Sequence, residues 1–487
     1  MDGLNILLCI TLSIPLIILT LTRHGRKNLP PGPPALLFMA KMLMLKRPIY
    51  HFGSLLRSLH ARHGPIISVS FGRTLVFVAD RRLAHSALIK GGGNFDNRPP
   101  PSEMFELFLG GAMAASPLGA YFRLVRRNLH LQALHPSRVR LFAPARKRVC
   151  DEFVGSLRRD RDASSQGIVT VRPLLAHCLF SLLTCMCFGV TLGQETLDKM
   201  QQIQLQISDA ISRFPVFEGI FFYDITKRLR LKRWVALRQR QKELILPLIR
   251  GRQDGDGPRC YADSLLELRV PEEGDRPLTD DEMVSLCTEF MIAAMDTSMA
   301  LLEWIMADVV NHPDAQAKVY EEVRGKPELS DDDLRGTEMP YLKAIVMEGL
   351  RMHPVAHIVF PHGVQSDAEV GGYMVPKGAE INFMVADFGL DETVWTAARE
   401  YRPERFLHDH DVDITGTKEI KMAPFGAGRR MCPGYVLATL HAEYLVGSLV
   451  REFQWLPPAQ GVDMTEELYV AVRMKNPLRA RIIPRPA

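Results

Sequence analysis

Apolar positions recur at helical spacing from about residue 116 to residue 353, and β-type patterning is confined to short runs on either side. Ile66–Val69 and Thr74–Val78, separated by Phe71-Gly72-Arg73, predict a hairpin. Sheet-like sequence broken by glycine and proline returns over Ile358–Phe383, and a last helix is predicted from Pro433 to about Phe453. The most legible helix opens on Thr279-x-x-Glu282, a capping box with Asp280 and Asp281 in its first turn, and can run to Asn311, just before Pro313. A helix of that extent is about 45 Å long, enough to cross a whole domain. Its centre reads Phe290-Met291-Ile292-Ala293-Ala294-Met295-Asp296-Thr297-Ser298. An acid and two hydroxyls inside an apolar helix cost free energy unless they find partners. Thr297 can bond the carbonyl of residue 293, so the plain reading is a satisfied kink.

The N-terminus follows another pattern. Leu4–Thr22 carries no charge, and as a helix it spans roughly 28 Å, close to the hydrocarbon thickness of a bilayer. Asp2 precedes the run, whereas Arg23, His24, Arg26 and Lys27 follow it, which predicts a single span with the bulk of the chain on the cytosolic side. A cleaved signal peptide fits less well, because the charge lies on the wrong side and no small-x-small site follows. The absence of any N-x-S/T sequon agrees with a cytosolic body. Leu29-Pro30-Pro31-Gly32-Pro33-Pro34 then predicts a stiff extended spacer. The organisation expected is an anchor with its basic flank over 1–28, a hinge over 29–35 and one large body over 36–487, mainly α with a smaller β portion.

Composition narrows the function. With 60 Lys+Arg against 55 Asp+Glu the net charge is only +5, which argues against a nucleic-acid binder. Eight cysteines in 487 residues, none in a C-x-x-C pair, give neither a disulfide scaffold nor a structural zinc site. Cys185 and Cys187 lie in the apolar run Leu179–Val190 and read as core.

The chemistry concentrates in Phe425-Gly426-Ala427-Gly428-Arg429-Arg430-Met431-Cys432-Pro433-Gly434. A dinucleotide loop would need glycine at Met431, and no strand leads into the segment. Pro433 suits the first position of a helix, which makes Cys432 its N-cap and predicts a sulfur whose pKa is lowered by free N–H groups. The glycines let the backbone pass close to something flat and bulky. A thiolate with no second ligand at metal spacing suits one axial bond to a haem iron.

This stretch resembles the F-x-x-G-x-R-x-C-x-G signature of the cytochrome P-450 haem-thiolate monooxygenases, at Phe425, Gly428, Arg430, Cys432 and Gly434. Other marks of that family follow the same order. Glu348-Gly349-Leu350-Arg351 is similar to its E-x-x-R helix, with Pro403-Glu404-Arg405-Phe406 downstream. Glu321 and Arg324 make the same E-x-x-R pattern, so only the downstream partner gives the first its value. Ala293–Ser298 resembles the oxygen-activation motif, with Ala294 in place of the usual glycine. The resemblance runs from the Pro-rich hinge to Arg479, and within the family it is nearest a plant A-type microsomal enzyme of family eighty-nine, on Ala133–Arg138 and Asn382–Ala386.

The resemblance implies the cytochrome P-450 fold and haem b (iron protoporphyrin IX) held by Cys432. Glu348, Arg351 and Arg405 form a buried structural network, and Asp296 and Thr297 supply protons to dioxygen. The family's W-x-x-x-R appears as Phe122 and Arg126; Phe122 cannot donate an indole N–H, so propionate binding would rest on Arg126, Arg430 and His362, a basic position. It further implies an endoplasmic reticulum membrane protein, electrons from an NADPH-dependent cytochrome P-450 reductase, and a lipophilic small-molecule substrate. By analogy the pocket is lined by Pro99–Ala115, Ile207–Phe217, the centre of the long helix, Val355–Val359 and Leu468–Val472. Two basic clusters stand out. Arg123, Arg126, Arg127, Arg138, Arg140 and Arg146–Arg148 offer a face for an acidic redox partner; Lys227–Arg233, after apolar Phe214–Tyr223, suits a membrane surface. Two rival readings are an isomerase or dehydratase of the same fold that needs no external electrons, and a catalytically silent haem-binding protein.

Overall fold

The computed structural model describes residues 28–35, 37–38, 41, 53–71, 73–212, 224–252, 257–408 and 412–486. The expected anchor Leu4–Thr22, its basic flank and Phe214–Tyr223 lie outside the described residues. The longer helices are α1 (Gly53–His63), α2 (Glu103–Leu109), α3 (Ala120–Leu129), α4 (Ala143–Ala163), α5 (Val171–Phe188) and α6 (Gln194–Ser212). They continue as α7 (Asp224–Arg250), α8 (Tyr261–Glu267), α9 (Asp280–Asn311), α10 (Pro313–Val323), α11 (Pro340–Met352) and α12 (Tyr435–Glu452).

Helix α9 begins where its capping box predicts. The Thr279 hydroxyl accepts the Glu282 N–H at 3.2 Å, and the Glu282 carboxylate accepts the Thr279 N–H at 2.7 Å. Helices α5, α7, α11 and α12 pack around it. Helices α5 and α9 are long and apolar enough to cross a membrane, but 61% and 83% of their most apolar windows are buried inside the protein. That burial accounts for their composition: each enclosed Leu, Ile, Phe or Met contributes about 1.5–3 kcal/mol.

The β portion is small and peripheral. Strands β1 (Ile66–Phe71) and β2 (Arg73–Val78) form the predicted hairpin, with Ile66 opposite Val78. Strand β2 also runs parallel to β5 (Glu380–Phe383), and β4 (His362–Gly363) closes the far edge, in the order β1-β2-β5-β4. A second sheet joins β3 (Ile168–Thr170) to β6 (Phe453–Leu456) and β9 (Arg479–Pro484) in the order β6-β9-β3. A hairpin of β7 (Glu466–Leu468) and β8 (Val472–Met474) precedes β9.

The described part of the Pro-rich stretch lies against the first sheet. The Ser68 N–H and hydroxyl, on edge strand β1, donate to the carbonyls of Pro31 at 2.9 Å and Pro30 at 2.6 Å. A Cβ at Gly32 would stand 1.8 Å from the Ser68 carbonyl oxygen, so only glycine allows this approach. One local expectation is corrected: the N-cap of α12 is Gly434 rather than Cys432. Pro433 and Gly434 form a turn ahead of the helix, which leaves the cysteine two residues before the cap.

Candidate active site

The Cys432 loop is a closed hook. The Cys432 N–H donates to the Phe425 carbonyl at 2.9 Å, joining the two ends of the signature. Gly426 and Gly428 hold φ at +70° and +74°, which disfavours any residue with a Cβ, and at Gly428 a Cβ would also meet the Leu88 carbonyl oxygen at 2.5 Å. The Phe425 ring lies 6.2 Å from that of Tyr435 at the head of α12.

Cys432 is exposed, yet enough protein surrounds it that burial pushes its thiol up. The Gly434 N–H and the Arg126 guanidinium pull the other way without prevailing, which corrects the expectation of a lowered pKa. Ala293 is exposed in the middle of α9, while its neighbours Ile292 and Met295 are buried. Phe360, 52% exposed, adds a further apolar surface.

Cations gather beside the hook. Arg126, on α3, donates to the Met431 carbonyl at 2.7 Å. Arg430 donates to the carbonyls of Asp96 at 2.7 Å and Ser116 at 2.8 Å. Its guanidinium lies 3.9 Å from the centroid of Phe122, and that of Arg126 lies 5.8 Å from the same ring. Phe122 therefore carries two cations on its π surface in place of donating a hydrogen bond. Burial lowers the Arg430 guanidinium to about 10. His362 does not fulfil the expectation of a basic group. It is 3% exposed, its Nδ1 pairs with the Phe95 carbonyl at 2.6 Å, and burial with Arg98 nearby lowers it to about 3. It is a neutral imidazole.

Sequence reasoning missed three members of this cluster. Arg98 donates to the carbonyls of Ala114 at 2.9 Å and Pro361 at 2.8 Å, beside His362. Glu289, on α9, accepts the N–H groups of Met113 at 2.8 Å and Ala114 at 2.6 Å. One short segment, residues 113–116, is thus held by an anion from α9 and by cations from the Cys432 loop. Asp96 is fully buried, and neither carboxylate oxygen has a hydrogen-bond partner; Arg429 stands 3.5 Å away. Only the basic residue before a proline, Arg98-Pro99, was a signal available in the chain, and it is a common one.

On α9, Thr297 donates to the Ala293 carbonyl at 2.5 Å, the bond its position predicts. Asp296 is 4% exposed and accepts from the Ser208 hydroxyl at 2.8 Å. Burial raises its carboxyl, with Ser208 and Arg473 opposing.

Behind the site, Glu348 and Arg351 meet with no exposure. The Arg351 Nε and Nη2 donate to the two carboxylate oxygens at 2.7 Å and 2.8 Å, a bidentate pair. The Arg405 Nε joins at 3.2 Å, and the Arg402 N–H at 2.8 Å. The remaining Arg351 donors reach the carbonyls of Gly389 at 2.6 Å and Ala398 at 2.7 Å. By contrast, Glu321 and Arg324 pair on the surface, each more than half exposed.

Above Ile292 the apolar residues of α2 and α6 close into one cluster, with Phe108, Ile203 and Ile207. Leu237 and Trp234 of α7 and Val470 join them, of which α7 was not foreseen. The first basic cluster divides. Arg146 is buried against Asp331, Arg140 pairs with Asp332 and Lys147 with Asp151, while Arg123 and Arg127 stay exposed.

Among the described residues no group of three or more His, Cys, Asp or Glu could hold a metal ion. Among the described cysteines Cys432 alone is exposed, and a lone sulfur beside the Arg126 guanidinium fits the chemistry of a haem iron.

Comparison with known proteins agrees. The Cytochrome P450 family matches residues 30–481. The chain is 37% identical to Cytochrome P450 89A9 of Arabidopsis thaliana over 94% of both chains. It is 27% identical to geraniol 8-hydroxylase of Catharanthus roseus over 99% of both. Zebrafish cytochrome P450 structures with abiraterone and with progesterone superpose with TM-scores of 0.73 and 0.75. They cover 90% and 89% of this chain, and 100% and 99% of their own, at 21% and 22% identity. Fold and sequence reach the same conclusion: the chain belongs to the cytochrome P-450 family and is a monooxygenase oxidoreductase whose iron is that of haem.

Proposed function

We propose that the protein is an endoplasmic reticulum enzyme, anchored by residues 1–28, hinged at 29–35 and catalytic over 36–487. It places one oxygen atom of dioxygen in a lipophilic small molecule, with electrons from an NADPH-dependent reductase. The observation that carries this reading is the accessible Cys432 sulfur at the end of a glycine-framed hook, beside the Arg126 guanidinium. Relatives named as hydroxylases support it.

Cys432 would hold the iron of haem b through its sulfur. Arg98, Arg126 and Arg430 would meet its carboxylates, with neutral His362 as a hydrogen-bonding partner and Phe122 and Phe425 as apolar contacts. Haem supplies the activation of dioxygen; binding, exclusion of water and proton supply fall to the protein. Asp296 holds a proton more firmly than an exposed aspartate, as its raised pKa requires. Thr297 Oγ1 passes a proton from that side of α9 by turning from the Ala293 carbonyl. Glu348, Arg351 and Arg405 serve as scaffold. The cluster of Phe108, Ile203, Ile207 and Ile292 excludes water and accepts an apolar substrate. Exposed Arg123 and Arg127 would attract the acidic face of the reductase.

The test uses full-length protein in microsomes with the reductase and a spectral screen of lipophilic plant metabolites. A binding metabolite should gain one oxygen atom only when NADPH is present. Turnover without NADPH would favour the isomerase or dehydratase reading.

A further inference from the structure

Ser208 lies in the last turns of α6 with no exposure, and its hydroxyl donates to Asp296 Oδ2 on α9 at 2.8 Å. Its neighbour Ile207 belongs to the apolar wall over Ile292. One turn of α6 therefore offers an aliphatic side chain to the apolar cluster over Ile292 and a hydroxyl to the carboxylate beside Thr297. The turn is tied down at a second point: the Tyr469 hydroxyl donates to the Leu205 carbonyl at 3.4 Å, and Arg473 lies 4.0 Å from the Tyr469 ring centroid. Arg473 pairs with Glu467 at 2.9 Å on the β7–β8 hairpin. A buried hydroxyl with a carboxylate as its partner fixes that carboxylate in one rotamer, because a hydrogen bond to a charged group in a dry site outweighs rotamer freedom.

We infer that Ser208 is a positioning residue for proton supply: it holds Asp296 Oδ2 toward α6, leaves Oδ1 to exchange protons, and makes that exchange depend on α6 being seated on α9. This rests on the reading of Asp296 as a proton relay. Dioxygen with two electrons and two protons gives peroxide; with four electrons and four protons it gives two waters. NADPH supplies two electrons per molecule through the reductase. A misplaced Asp296 delivers the later protons slowly, and peroxide escapes.

The experiment measures NADPH consumption, peroxide release and the solvent deuterium effect in full-length protein with its reductase and no added substrate. Ser208→Ala, Ser208→Thr, Ser208→Cys and Asp296→Asn are compared, each checked for an unchanged thiolate-type carbon monoxide spectrum. Ser208→Ala should raise the peroxide fraction about fivefold and enlarge the deuterium effect. Ser208→Thr should restore both, and the near-isosteric, weakly donating Ser208→Cys should fall between. If Ser208→Ala does not fold, the Cys variant decides, and parental coupling in it overturns the inference. A raised peroxide fraction in Asp296→Asn with none in Ser208→Ala sinks the role of Ser208 alone. Parental coupling in Asp296→Asn sinks the relay reading itself, and this inference with it.

Discussion

Two charged clusters flank the Cys432 loop and follow opposite rules. Around Glu348 the charges are matched: a bidentate arginine, a second arginine and a backbone N–H meet the carboxylate, and Arg351 spends its remaining donors on carbonyls. Around Arg430 the accounts stay open. Arginines lean on backbone carbonyls and on the Phe122 ring, and Asp96 sits buried with neither carboxylate oxygen hydrogen-bonded and only Arg429 paired to it, at 3.5 Å. The closed cluster is built for rigidity, since a buried charge network stabilises only when each member is satisfied. On the proposed reading, the open one keeps hydrogen-bonding capacity for the haem carboxylates, so stability and chemistry would fall to different sets of arginines.

The sharpest break is at the sulfur. Cys432→Ala should remove the thiolate-type carbon monoxide spectrum completely while the fold survives in circular dichroism; an unaltered spectrum would refute the ligand assignment. Next in size, Glu348→Gln should cost about 3–5 kcal/mol, read from the denaturant midpoint, because Arg351 keeps its buried charge without an opposite one. Loss below about 1 kcal/mol would erase the contrast between the clusters.

Asp96→Asn should act in the reverse sense. Burial raises its carboxyl above the usual 3.8, so folding takes up a proton, and the residue weakens the fold progressively as pH rises above that value. The Asn variant should gain about 1 kcal/mol at pH 8 and nothing near pH 3, measured as Tm at both. Equal Tm shifts at the two pH values would show that Asp96 is matched after all. Smallest, Phe122→Leu should cost about 0.5–1 kcal/mol through the lost cation contacts and shorten haem retention against apomyoglobin severalfold. Retention equal to the parent would make the ring mere filler.

What the chain discloses before folding is local. The capping box at Thr279 and Glu282, the Ile66–Val78 hairpin and the Thr297 bond to residue 293 each depend on neighbours a few positions apart. The signature around Cys432 is a hook within ten residues, and it too is legible. What stayed hidden is long-range. Glu289 meets Met113 across 176 positions, and Ser208 meets Asp296 across 88. The neutrality of His362 comes from burial among arginines that no spacing announces. The N-cap shifted to Gly434 because the Pro433-Gly434 turn competes with the helix start, a contest that propensities leave undecided.

The docking of Pro30–Gly32 along β1 bears on how the protein is handled in the laboratory. Those residues cover the outer rim of an edge strand and occupy its Ser68 N–H. Shortened versions that begin before Asn28 retain this cover. Versions trimmed past Pro33 would leave β1 bare, and bare strand rims invite two copies to zip together, so aggregation rather than solubility would be the reward of the deeper cut.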